Sequence, residues 1–244
     1  MLRALYTVLF LFPLALSAQE VAQTVPGGPW GVGQSGSSNQ DSTAAGKPVI
    51  YLYPSHDTLV SVKISGVKLV NTYPAYDAKS GWKVLAQPNG TLVNIADNRE
   101  YSYLFWDGTP LTKLEWDHTS GELVEGTPAK TGTFLRDKLS ASGLTPREYN
   151  EFIVYWMPKL TVPAPAGYTK WNLIHFATKA EYADKVSLEI APKPASVLRV
   201  YMFWEPVNSP NGGCIDMAPT KPQTFTAFKR IGFTVVEWGG EEKN

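Results

Sequence analysis

Cysteine is all but missing from this sequence. A single residue, Cys214, stands among 244, so no disulfide closes within the chain and a disulfide-stapled scaffold is excluded. Histidine is nearly as scarce. His56, His118 and His175 are the three in the chain, and none has the paired spacing of a metal site. Charge of either sign is not in excess: 22 basic residues balance 22 acidic ones. That removes the electrostatic footprint of a nucleic-acid binder, and no polybasic stretch marks a site for an anionic membrane. Beyond the N-terminus no apolar run is long enough to span a bilayer. No glycine-rich phosphate loop follows a predicted strand, so no nucleotide or other cofactor is implied.

The N-terminus has the pattern of a secretory signal peptide. Arg3 supplies the positive start, Leu5 to Leu16 an apolar run, and Ala15, Ser17 and Ala18 a small-residue cut site. The reading is a leader over 1–18 and a secreted or periplasmic protein. A linker follows over 19–46, rich in Gly, Ser and Gln, with too little apolar surface to offset its ordering entropy. One globular domain is expected over 47–240, then a solvated charged tail over 241–244.

Within the domain the apolar pattern is mostly that of strands. The Pro48–Pro54 segment is a short apolar run between prolines, and 59–64 alternates with Val60, Val62 and Ile64 on one face. Residues 82–87 and 91–95 flank Pro88-Asn89-Gly90, which predicts a hairpin. Asn89-Gly90-Thr91 is also an N-glycosylation sequon at that tip, and turn chemistry alone accounts for it. Further strands are predicted at 101–107, 171–177, 186–190, 198–204 and 233–238. Helices are expected over 133–142 with Gly143 as cap, from Thr145-Pro146 onward, over 178–183 with Thr178 and Glu181 as a capping pair, and over 223–231. The second of these is expected to turn into a strand at Phe152–Trp156. Residues 206–222 read as a long loop. The fold class is therefore mainly β (α+β), an antiparallel sandwich with a few short helices.

One theme recurs. Tyr103-Leu104-Phe105-Trp106-Asp107 resembles Tyr201-Met202-Phe203-Trp204-Glu205, and Phe152–Trp156 is a looser copy without the acid. Aromatic faces stack on the CH face of a pyranose while carboxylates accept from its hydroxyls. The pattern points to carbohydrate, a polysaccharide or envelope glycan, bound by Trp106, Asp107, Tyr155, Trp156, Trp204 and Glu205. Because side chains alternate along a strand, Tyr103, Phe105 and Asp107 share one face, and Tyr201, Phe203 and Glu205 share another. The acid-bearing face is expected to meet solvent or ligand, since a buried acid needs a partner. Against this stands the ordinary role of strand tryptophans, which is to fill a core.

Two enzymatic readings remain beside the binding protein. In the first, Asp107 and Glu205 converge as the acid pair of a glycoside hydrolase. In the second, Cys214 is a nucleophile. Ser209-Pro210-Asn211-Gly212-Gly213-Cys214-Ile215-Asp216-Met217 resembles the active-site signature of YkuD-type L,D-transpeptidases. That resemblance implies a secreted, β-rich enzyme acting on peptidoglycan through a Cys214 acyl-enzyme, with His175 as its histidine. The chain departs from the signature at Gly212, where the family has His, and at Asp216, where it has a basic or amide residue. An adhesive module with no small ligand is the last alternative, and it predicts no pocket near the repeated strand ends.

Overall fold

A computed structural model describes residues 46–116, 118–211, 213, 215 and 220–243. The leader, nearly all of the linker and Cys214 lie outside the described residues. In chain order the strands are β1 (Gly46–Tyr53), β2 (Thr58–Ser65), β3 (Val67–Tyr73), β4 (Trp82–Ala86), β5 (Leu92–Asn94), β6 (Glu100–Tyr101), β7 (Leu104–Pro110) and β8 (Glu122–Glu125). Helices α1 (Pro128–Ser142) and α2 (Pro146–Leu160) follow, then β9 (Tyr168–Phe176), a single π turn at Lys179–Ala183, β10 (Ser187–Ala191), β11 (Ser196–Pro210) and β12 (Thr234–Glu242). They form a seven-stranded sheet in the order β3-β7-β1-β12-β11-β9-β8 and a five-stranded sheet in the order β10-β2-β4-β5-β6. All neighbours are antiparallel except β11 and β12, which run parallel. The mainly β, sandwich-like class expected from the sequence is what the chain adopts.

Burial explains the layering. β2 and β4 alternate, sending Val60, Val62, Trp82, Val84 and Ala86 inward. β1 does not alternate: Val49, Ile50, Tyr51 and Leu52 are all fully buried. Ile50 and Leu52 face the smaller sheet, while Val49 and Tyr51 face the side occupied by α1 and α2. The larger sheet is thus covered on both faces, which is why its central strands read as continuous apolar runs. Between β2 and β3 the chain changes sheets at Gly66. Its φ of 80° and a virtual Cβ only 2.0 Å from the Lys185 carbonyl oxygen leave room for glycine alone.

The predicted hairpin forms as β4 and β5, with Gly90 N–H donating to Gln87 O at 2.9 Å. Four local expectations are corrected. Phe152–Trp156 is not a strand but the middle of α2. Glu148, Phe152, Trp156 and Leu160 recur at four-residue spacing as its buried stripe, whereas Val154 is exposed. The start signal at Thr145, where the backbone N–H donates to Glu148 Oε2 at 2.7 Å, outweighs the β-branched composition. Pro158, near the end, removes one intrahelical bond and the last turn survives. Residues 223–231 form no helix. Gln223 instead docks on β9, accepting from Phe176 N–H and donating to Phe176 O at 2.7 and 2.8 Å, and Phe225 packs edge-on to Phe176. The tail is solvated only in part: β12 runs to Glu242, which is exposed, but Glu241 is buried beside Lys243. The loop at 206–222 is shorter than expected, because β11 continues to Pro210 along β9.

Candidate ligand-binding site

The two Tyr-Phe-acid faces end on opposite sides of the larger sheet. On β7, Leu104 and Trp106 enter the core between the sheets, so Tyr103, Phe105 and Asp107 face the helical side. On β11 the reverse holds. Tyr201 and Phe203 are buried between the sheets, and Met202 and Trp204 lie under the helices. β7 and β11 are also separated by β1 and β12. Asp107 and Glu205 therefore do not converge, and the paired-acid site is corrected on that ground. A one-residue difference in phase inverts a strand's faces.

The tryptophans are corrected as stacking platforms as well. Trp106 is fully buried and Trp156 and Trp204 are each 2% exposed. The Trp106 indole N–H donates to Glu237 Oε1 at 3.2 Å. Glu237 also takes Arg199 Nε at 2.6 Å and the Tyr182 hydroxyl at 3.2 Å. This is a buried ion pair, with the Arg199 guanidinium also over the Tyr182 ring and its Nη2 left without a partner among the described residues.

Asp107 and Tyr155 do come together. With Tyr73, Tyr103, Phe105, Lys47 and Gly46 they line a cavity of about 490 Å³. Tyr103 and the β7 residues supply one wall. Tyr73, at the end of β3 and 61% exposed, forms the lip, and α2 contributes Tyr155 from its outer flank. Asn71 Nδ2 donates to Asp107 Oδ2 at 3.0 Å and fixes the carboxylate. Lys47 sits at φ 45°, a left-handed conformation that side-chain-bearing residues seldom adopt. Its ammonium lies 4.7 Å from the Tyr155 ring centroid, and Lys159 lies on the same ring at 4.0 Å.

Burial holds the Lys47 ammonium below its usual pKa, against the pull of Glu151. Burial raises Tyr155, with the Asp107 charge adding to it, and burial and Glu151 raise Tyr103. Both phenols thus stay protonated and serve as donors. Tyr51, edge-on to Tyr103 at 5.6 Å, donates through its hydroxyl to Glu151 Oε2 at 2.7 Å and accepts from the Trp238 indole at 3.2 Å. Four aromatic rings, one held carboxylate and one ammonium suit a ligand with an apolar face and a hydroxyl-rich edge.

Glu205 lies elsewhere, 3.7 Å from His118 Nδ1. His175, 1% exposed, bonds to Ser120 and Glu181. Lys47 and Tyr73 escaped the sequence reading because each is a lone residue at a strand end, with no spacing that ties it to β7. Among the described residues no helix is long and apolar enough to cross a membrane, and no group of three or more His, Cys, Asp or Glu is placed to hold a metal ion.

Fold and site together define a two-sheet β domain with a helical layer and an aromatic, acid-bearing pocket. The chain belongs to the family of a Butyrivibrio fibrisolvens protein described as the uncharacterized protein in the bglA 3' region. The two are 39% identical over 79 residues, which cover 32% of this chain and 80% of that protein. No family model matches the chain, and no solved structure does.

Proposed function

We propose that this is an exported carbohydrate-binding domain, with the sugar seated in the cavity between β7, β3 and α2. The observation that carries the reading is the convergence of Tyr73, Tyr103, Phe105 and Tyr155 with Asp107 and Lys47 around one opening. A pyranose ring lies against the aromatic wall, its hydroxyls donating to Asp107 and accepting from Lys47. The strained Lys47 backbone supports a binding role, because such conformations persist where the surroundings hold a side chain in place. The single carboxylate at this opening supports binding over acid-base hydrolysis, which takes a pair. The leader pattern at the N-terminus supports export to where glycans are met.

Calorimetric titration with neutral and uronate-containing oligosaccharides tests the reading. Asp107→Asn is expected to weaken binding about tenfold to a hundredfold, the range of a lost charged hydrogen bond. Tyr155→Ala is expected to weaken it about tenfold. Undiminished affinity in both folded variants, or no saccharide bound by the native protein, overturns it.

A further inference from the structure

A second constellation lies away from that cavity. Ser120, just ahead of β8, places its Oγ 3.0 Å from His175 Nδ1 on β9. His175 Nε2 lies 2.8 Å from Glu181 Oε2 on the π turn. Three separate elements thus deliver a hydroxyl, an imidazole and a carboxylate in line. The carboxylate accepts only, so the ring proton resides on Nε2 and the Nδ1 lone pair faces the serine. Glu181 is held in turn by the Thr178 N–H at 2.6 Å. Burial alone would raise its pKa, but the His175 and Thr178 hydrogen bonds prevail and keep the carboxyl below its usual value. The imidazole lies parallel to Phe203 and against Trp116, with centroids at 6.1 and 5.3 Å. Ser120 itself is half-buried, and nearby the His118 and Glu205 side chains are 64% and 36% exposed.

From this geometry we propose that Ser120 is the nucleophile of an acyl-ester hydrolase centre, with His175 as its base and Glu181 as the positioning residue. Ser120 Oγ attacks the carbonyl carbon of a carboxylic ester as its proton passes to His175 Nδ1. The C–O bond to the alcohol breaks, and the alcohol leaves with that proton. Water, activated by the same nitrogen, then attacks the acyl-serine and releases the carboxylic acid, returning the proton to Ser120. Acyl transfer of this kind needs a nucleophile and base in hydrogen-bond reach and an oriented ring, both of which are present.

A fluorophosphonate probe tests it on the full chain. Ser120 Oγ displaces fluoride at phosphorus, and peptide mapping locates the adduct. The native protein is expected to carry the adduct at Ser120 and to hydrolyse p-nitrophenyl acetate, and Ser120→Ala is expected to lose both. His175→Asn should slow labelling about a hundredfold or more, the usual contribution of a general base. Glu181→Gln should slow it less, with partial recovery in Glu181→Asp, and melting temperatures report that each variant is folded. An unlabelled Ser120 in the native protein overturns the proposal, as does equal labelling of folded His175→Asn. Neither result bears on sugar binding at Asp107.

Discussion

Trp106 and Trp204 hold the same place in matching sequences, are both buried, and differ in one hydrogen bond. The Trp106 indole N–H is bonded to Glu237, whereas that of Trp204 is buried with no partner among the described residues. A bonded group costs more to remove than an unsatisfied one. Both Trp→Phe substitutions lose the same side-chain volume, so the hydrogen bond decides the difference between them. Trp106→Phe is expected to destabilise by about 1–3 kcal/mol more than Trp204→Phe, read as the difference in urea midpoints. Trp106→Ala should cost about 3–5 kcal/mol, as a large truncation in a packed core does. In both cases the loss appears as stability and not as a selective loss of ligand.

At the scale of elements, α2 shows how a start signal and a buried stripe override composition. Its first turn is also where the 223–231 segment is fastened. Arg230 donates through both terminal nitrogens to the fully buried Glu148 carboxylate and also to the Gly143 carbonyl. Removing one partner strands a charge. Arg230→Met is expected to cost about 3 kcal/mol and to raise hydrogen exchange across 223–232 before the sheets open. Unchanged exchange there would show that Gln223 and Phe225 suffice to hold the segment. Composition suggested a helix for these residues because nothing local reveals that a side-chain amide will pair with β9.

For the whole molecule, acid sensitivity follows from a few carboxyls. Hydrogen bonds from Ser80 hold Asp77 below its ordinary value, the Tyr101 hydroxyl does the same for Asp97, and Glu181 is held low by His175 and Thr178 against its burial. A carboxyl depressed in the folded state binds protons more readily once unfolded. Its contribution is therefore present above the ordinary values of 3.8 for Asp and 4.5 for Glu, and is lost as pH falls through the folded values. Glu241 works the other way. Burial raises it despite Lys243, so its contribution is favourable at low pH and declines as pH rises from 4.5 through its folded value. Urea midpoints should fall below pH 4.5, and Glu181→Gln should flatten that acid limb.

The alternation in β2 and β4, the Pro88-Asn89-Gly90 turn, the caps at Thr145 and Thr178 and the Gly143 helix end were all legible in the chain, because each depends on interactions within a few residues. They determined the β-rich class and the phase of Tyr103, Phe105 and Asp107 on β7. Which way a strand's faces point is a different matter, since it depends on what covers each side of the sheet. β7 and β11 carry the same pattern with opposite faces inward, so tertiary packing alone separated Asp107 from Glu205, sealed the tryptophans in the core, and brought Lys47, Tyr73 and Tyr155 to one opening. The Ser120–His175–Glu181 line has the same origin: its members lie on three elements, and only the pairing of β8 with β9 and the docking of the π turn set them within hydrogen-bond reach.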